Sequence, residues 1–346
     1  MKHGLHRSSR SPRSPRSPRS LWSLRSQLSL VLCAMTLAAS ATVVAQGKYP
    51  DKPIRVIVPF PPGGINDVVA RPILQKMGEL LQIAMVIENR AGAGGTIGAT
   101  AAARAEADGY TLLLGAASTM AVAPAMYASP GYAPDKDFVA IGGMASVPSV
   151  LVTAKADKFK RFADVVAAAK AAPGTLNFGS AGAGASQHVQ MELLKSRLGL
   201  NMVHVPYKGG APAMTDLLGG QIDFMLEALP TAIPNLQAKK LVGLAVSKPE
   251  RASALPDVPT FQEVGVPDFL VSTWFGLFAP AATVPAIVQQ LGAALSRALQ
   301  DPVLAKSLRE RGIDPMAMES AEFTRFAARE RERWKAVVMQ SGIKAD

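Results

Sequence analysis

Short apolar runs alternate with Ala-rich stretches along most of the 346-residue chain. Runs of strand length occupy 54–60 (IRVIVPF), 84–89 (AMVIEN), 110–115 (YTLLLG), 149–154 (SVLVTA) and 176–180 (LNFGS). Four more occupy 202–207 (MVHVPY), 222–226 (IDFML), 241–247 (LVGLAVS) and 271–280 (VSTWFGLFAP). Near-continuous apolar strands between helices predict an α/β protein whose parallel-rich sheets are covered on both faces. Two domains suit this length. The last hundred residues lean helical: Ile287, Leu291, Leu295 and Leu299 share one face of 284–300, and 321–340 shows the same spacing. The charge run ARERERWK within it reads as a solvated helix face, and Trp274 and Trp334 read as packing residues.

The N-terminus has a different pattern. Residues 1–25 carry Lys2, Arg7, Arg10, Arg13, Arg16, Arg19 and Arg25 with no acid, and an apolar run follows from Leu28. With the compact residues Val43-Val44-Ala45 after it, this predicts a secretory signal peptide over 1–45, cleaved after Ala45, and a periplasmic mature protein. Its second half, mostly Ala, Ser and Thr, argues against a membrane anchor, and Leu32 before Cys33 argues against a lipidated cysteine. Cleavage removes seven basic residues from a chain of net charge +11, leaving +4, so charge no longer points to nucleic acid. The single cysteine leaves as well, which excludes disulfides and thiol chemistry.

Three glycine-rich segments share one design of strand, bare turn and helix start: VPFPPGGIND (58–67), VIENRAGAGGTIGA (86–99) and LNFGSAGAGASQH (176–188). Such turns gather backbone N–H groups at a helix N-terminus and suit an anion, although tight connections need glycine equally. Gly92, Gly94 and Ile97 break the dinucleotide fingerprint at its last glycine. Gly179 and Gly184 have P-loop spacing but continue Ala185-Ser186 in place of Lys-Ser. Ser180 is not in a nucleophile elbow. Outside the leader, His188 and His204 lack metal-ligand spacing and read as a helix-start residue and a core histidine. No cofactor, metal or local nucleophile–base pair is expected, and the protein is read as a non-enzyme.

From Tyr49 onward the chain closely resembles the Bug family, the TctC-like receptors of tripartite tricarboxylate transporters. The carriers are PIRVIVPFPPGGINDVVAR, VIENRAGAGGTIGA, ADGYTLLLG, NFGSAGAGASQH, HVPYKGGAPAMTDLLGGQIDFM, LAVSKPERASALPDVPTFQEVG and WFGLFAPA, in order. The resemblance implies a type II-like periplasmic binding protein of two α/β domains with a ligand cleft between them. The domains are expected as 46–147 joined with 271–346, and 148–270, with crossings near Val147 and Val271 able to hinge. It further implies that a small carboxylate (a dicarboxylate, amino acid or aromatic acid) is held between two loops, and delivered to the transporter's membrane subunits. Those loops match Phe60, Pro61, Gly63, Gly64 and Asp67 on one side, and Ser180, Ala181, Gly182, Ala185 and Ser186 on the other. A monomer is expected, with no nucleic-acid partner. A sensory receptor signalling to a kinase, or an enzyme on the same scaffold, are the alternatives.

Asp67 complements the dipole of the helix it opens and has Arg71 at i+4 to pair with, so its role reads as structural, with contact to ligand water or an amino group left open. Pro72 should kink that helix. Ser118 and Thr119 follow YTLLLG, and Glu227 follows IDFML, at strand carboxyl ends where α/β proteins bind ligands. Glu227 either holds an ammonium group or faces solvent, and Lys208 reads as a surface residue. The mature protein is expected to begin at Gln46. Mass spectrometry of the native protein checks this, and a retained leader or a lipid on Cys33 contradicts it.

Overall fold

β1 (Ile54–Val58) lies between β2 (Met85–Asn89) and β3 (Thr111–Ala116), and both pairings are parallel. On β1 only Arg55 is exposed, because helices cover both faces of a central strand. The computed structural model describes Met1 and residues 49–341, so the leader, its cleavage site and Cys33 lie outside the described residues. Residues described from Pro50 onward pack as one compact unit.

The sheet continues through β9 (Ser272–Pro280), antiparallel to β3, and β4 (Phe138–Thr153), antiparallel to β9, with the short β10 (Asp314–Pro315) at its edge. β4 then changes partners. Phe138 to Pro148 register against β9, whereas Ser149 to Thr153 pair with β7 (Met225–Ala228) and β8 (Val242–Val246). β5 (Asn177–Ser180) and β6 (Val203–Pro206) form a parallel pair, and a bridge from Phe178 to Phe224 attaches them beside β7. The parallel pairs follow the predicted apolar runs. Every antiparallel pair among the described residues involves β4 or β9, and of the two β4 alone also pairs with β7 and β8, so that it joins a first half built on β1–β3 and β9 to a second half built on β5–β8.

The first two thirds of β4 escape a sequence reading because Gly142, Gly143 and Pro148 interrupt its apolar pattern. Those glycines let another segment approach: an added Cβ would meet Met318 O at 2.9 Å from Gly142 and Met316 O at 2.9 Å from Gly143. The short helix Pro302–Glu310 carries no clear signal in the sequence either.

Nine helices of two turns or more flank these sheets among the described residues. They are α1 (Ile65–Leu81), α2 (Thr96–Ala103), α3 (Phe162–Ala171), α4 (Ser186–Leu198), α5 (Gly210–Leu218), α6 (Leu229–Gln237), α7 (Pro285–Gln300), α8 (Pro302–Glu310) and α9 (Ser320–Ser341). α1 runs through Pro72 as one helix. In α7 the predicted stripe buries Leu291, Leu295 and Leu299. The second half has a core on each face, as period-two strands dictate: Leu151, Phe224 and Leu226 on one side, Val150, Val152 and Met225 on the other.

α9 closes the first half. Its charge run is mostly solvated, but Glu330 turns inward and accepts from the indole N–H of both Trp274 (3.2 Å) and Trp334 (3.1 Å). Phe323, fully buried, packs between Trp274 (5.6 Å between centroids) and Phe278 (5.5 Å). Gly276 makes room for it, since an added Cβ there would lie 2.1 Å from the Phe323 ring. Phe323→Ala is expected to cost about 3–5 kcal/mol of stability, read as a lower urea midpoint with an unchanged slope.

Candidate functional site

The first glycine loop leaves β1 and is tied down before it reaches α1. The Asn89 side-chain amide, at the end of β2, donates to Phe60 O and to Asp67 Oδ1, each at 2.9 Å. Asp67 Oδ2 accepts from Arg71 Nε (2.8 Å) and Nη2 (2.6 Å), and from Gly63 N–H (3.3 Å). Burial alone would raise the Asp67 carboxyl, but the bonds from Asn89, Arg71 and Gly63 outweigh it and hold its pKa below the usual value. Gly63 sits at φ +83°, a region that favours glycine, and lets the chain turn into the helix. No side chain caps the N-terminus of α1 at Gly64, although Asp67 N–H already donates to Gly64 O at 3.0 Å.

The second loop is built on stacked rings. His204 stacks on His188 with centroids 3.7 Å apart, and Phe178 lies 5.0 Å beyond His204. Ser180 Oγ is 2.6 Å from His204 Nε2 and accepts from Gly182 N–H at 3.1 Å, while His188 Nδ1 accepts from Gly184 N–H at 3.1 Å. The loop therefore carries two of its own N–H groups inward, onto this frame. α4 then starts at Ala185, again with no side-chain cap. Burial pushes the His188 imidazole down to about 4, with the Lys195 charge adding to it. It pushes His204 down to about 3, with His188 and Lys195 adding. Both rings are neutral at pH 7.

A cleft of about 400 Å³ opens between these loops. Its walls follow the carboxyl ends of β1, β3, β5, β6 and β7, while Ser149, Thr273 and Phe275 come from the crossing strands. Of the expected residues, Phe60, Pro61, Gly63, Gly64 and Ser118 line it from the first half. Ala181, Ala185, Ser186 and Glu227 line it from the second. Four others do not line it. Asp67 is engaged by Arg71 and Asn89. Thr119 is fully buried, and its hydroxyl turns back to Ala116 N–H (3.0 Å) and Ala116 O (3.1 Å). Ser180 and Gly182 bond to each other and to the His204 frame.

Two further loops complete the walls. Gly209-Gly210 opens α5, and Ala228 opens α6; neither helix has a side-chain cap, so with α1 and α4 four uncapped helix starts meet at one cleft. The Gly209 backbone approaches so closely that an added Cβ would lie 3.1 Å from Pro61 Cγ. The adjacent glycines of YKGG were the available sequence signal, overshadowed by Lys208, which is exposed. The VIENRAGAGG segment, in contrast, supports the site from behind. A Cβ on Gly98 would strike Pro59 Cα at 2.8 Å, and one on Gly94 would strike Ala183 O at 2.8 Å.

No Lys, Arg or His lines the cleft, and its one acid, Glu227, is only 2 % exposed. The solvent-facing alternative for Glu227 is thus overturned. Its Oε1 accepts from Ala228 N–H (3.1 Å) and the Thr231 hydroxyl, and Oε2 receives a long contact from Gln187 Nε2 (3.4 Å). Burial raises its pKa above the ordinary carboxylate value against the pull of those donors. Asn66 and Gln190, both missed from sequence, line the cleft with a buried polar atom that has no partner: Asn66 Oδ1 and Gln190 Nε2.

A family model described as the tripartite tricarboxylate transporter family receptor matches residues 69–343. The solved periplasmic binding protein BugD is 33 % identical with a TM-score of 0.81, over 86 % of this chain and 99 % of BugD. MatC from Rhodopseudomonas palustris, with bound malate, is 35 % identical at TM-score 0.79, over 84 % and 100 %. An R. palustris protein solved with adipate is 33 % identical at TM-score 0.82, over 86 % and 99 %.

The stacked histidines predict an acid-sensitive loop. Their folded pKa values lie below that of an exposed histidine near 6.5, so between about pH 6.5 and pH 3 the unfolded chain binds protons that the folded chain excludes. The stability this confers is present above pH 6.5 and is lost as pH falls through that window. Thermal unfolding from pH 7 to pH 4 should show a falling Tm, and His204→Gln should lose fewer degrees over the same range; an equal slope would clear the histidines of this role.

Proposed function

Because the chain belongs to the tripartite tricarboxylate transporter receptor family, and so to periplasmic binding proteins of two-domain α/β fold, we propose that it captures a small organic acid and delivers it to the membrane subunits of such a transporter. The observation that carries this reading is the convergence of four uncapped helix N-termini on a cleft with no basic side chain. A helix N-terminus carries about half a positive charge and backbone N–H groups without helical partners, which matches a compact carboxylate. The malate-bound and adipate-bound relatives support the same class. A phosphate, more highly charged, would call for the lysine or arginine that the lining lacks.

The domains of the proposed receptor are 46–147 with 271–346, and 148–270. Hinging falls where β4 exchanges β9 for β7 and β8, at Pro148–Ser149, and where the chain returns at Val271. Closure about these points would bring the Phe60–Asp67 and Ser180–Ser186 loops onto the ligand. In this reading the leader sends the protein to the periplasm. The one close serine–histidine pair described above supports binding over acyl transfer, since Ser180 is fully buried and lies off the cleft lining.

A thermal-shift screen with malate, adipate, amino acids and aromatic acids, alongside inorganic phosphate, nucleotides and sugars, tests the class. At a hundredfold excess over Kd a ligand stabilises the folded state by about 2.7 kcal/mol, or about 5 °C at this size. Gly64→Val should abolish the shift with the far-ultraviolet spectrum intact, because an added Cβ meets only Pro61 O, at 3.9 Å. A shift with a sugar or nucleotide and none with any acid overturns the reading.

A further inference from the structure

We infer that the acid this cleft selects carries an amino group, with the Glu227 carboxylate holding the ammonium while the uncapped helix starts take the ligand's carboxylate. The inference rests on the carboxylate reading above and adds the ligand's second charge.

Glu227 is the cleft's only acid, and its two oxygens are unequal. Oε1 is occupied by Ala228 N–H and the Thr231 hydroxyl, both from the start of α6. Oε2 has only the long contact from Gln187. No Lys, Arg or His acts on Glu227, although it is buried. A buried carboxylate without a cation is costly, and Glu227 lines a cleft whose walls supply no counter-charge. An ammonium supplies that charge.

Two more atoms point the same way. Asn66 Oδ1 is a buried acceptor without a donor, and Gln190 Nε2 is a buried donor without an acceptor. Gln190 cannot turn away freely, since its Oε1 already accepts from the Ser149 hydroxyl at 2.6 Å. A ligand with only acceptors would satisfy Gln190 but leave Asn66 Oδ1 without a donor and Glu227 Oε2 with only its long contact from Gln187. An ammonium brings three donors and a carboxylate brings acceptors, so an amino acid answers all three groups. The charge pattern agrees: backbone N–H groups favour the anionic end, and the single acid favours the cationic one.

Matched ligand pairs test this by calorimetric titration of the full protein: glutamate against glutarate, aspartate against succinate, leucine against 4-methylpentanoate. In each pair that binds, the amino acid should be tighter by about thirtyfold or more, the scale of losing one partner of a buried charge pair. Glu227→Gln, with its fold checked by circular dichroism, should reduce the preference to less than about threefold. Pairs in which the plain acid binds equally or more tightly overturn the inference and leave the carboxylate reading standing. An unchanged preference in Glu227→Gln overturns the role of Glu227. Binding of no acid in any pair overturns both readings. The wild-type comparison decides the ligand class even if the variant does not fold.

Discussion

One strand belongs to two sheets, and the cleft follows from that. Because β4 pairs with β9 up to Pro148 and with β7 and β8 from Ser149, the carboxyl ends of β1 and β3 face those of β5, β6 and β7 across it. Strand carboxyl ends are where α/β folds leave helix N-termini and loops free. Sharing a strand brings two such edges together and leaves a space walled by the loops that follow both sets of strands. Gly142 and Gly143, which let the 316–318 segment lie against β4, and Gly276, which admits Phe323, keep the shared strands packed on their outer side.

The cleft's polarity is set by what is absent from it as much as by what is present. Charged side chains near the loops are turned to structural work. Asp67 neutralises Arg71 and anchors Asn89, and Ser180 and Gly182 hold each other and the histidine frame. No side chain caps the four helix starts, so their N-termini stay open to a ligand. Fixed dipoles of this kind need no rearrangement when an anion arrives, which favours affinity through preorganisation. Prolines serve the same end, since Pro61 packs against the Gly209 backbone opposite.

Glu227 stands apart in this scheme as a buried acid on the cleft wall, with one oxygen committed to α6 and the other held only by the long contact from Gln187. It gives the site a direction. A ligand that is anionic at one end and cationic at the other matches that direction, whereas a symmetric diacid matches only half of it.

Much of this was legible from residue patterns. The parallel strands announced themselves as apolar runs between helices, the Asp67–Arg71 pair as an i,i+4 spacing, and three glycine loops as strand, bare turn and helix start, of which the family resemblance singled out two for the cleft. These are local: each depends on neighbours within a few residues. Tertiary structure decided the rest, because the deciding neighbours are remote. The full length of β4 was hidden by glycines whose reason is a backbone segment more than 170 positions away. VIENRAGAGG and YKGG look alike as glycine turns, yet one packs behind Pro59 and the other faces Pro61. The partners of Ser180, Thr119 and Glu330 are set by packing, not by spacing. Whether Glu227 met water or a cleft wall depended on the pairing of β7 with β4, which no window of sequence around residue 227 contains.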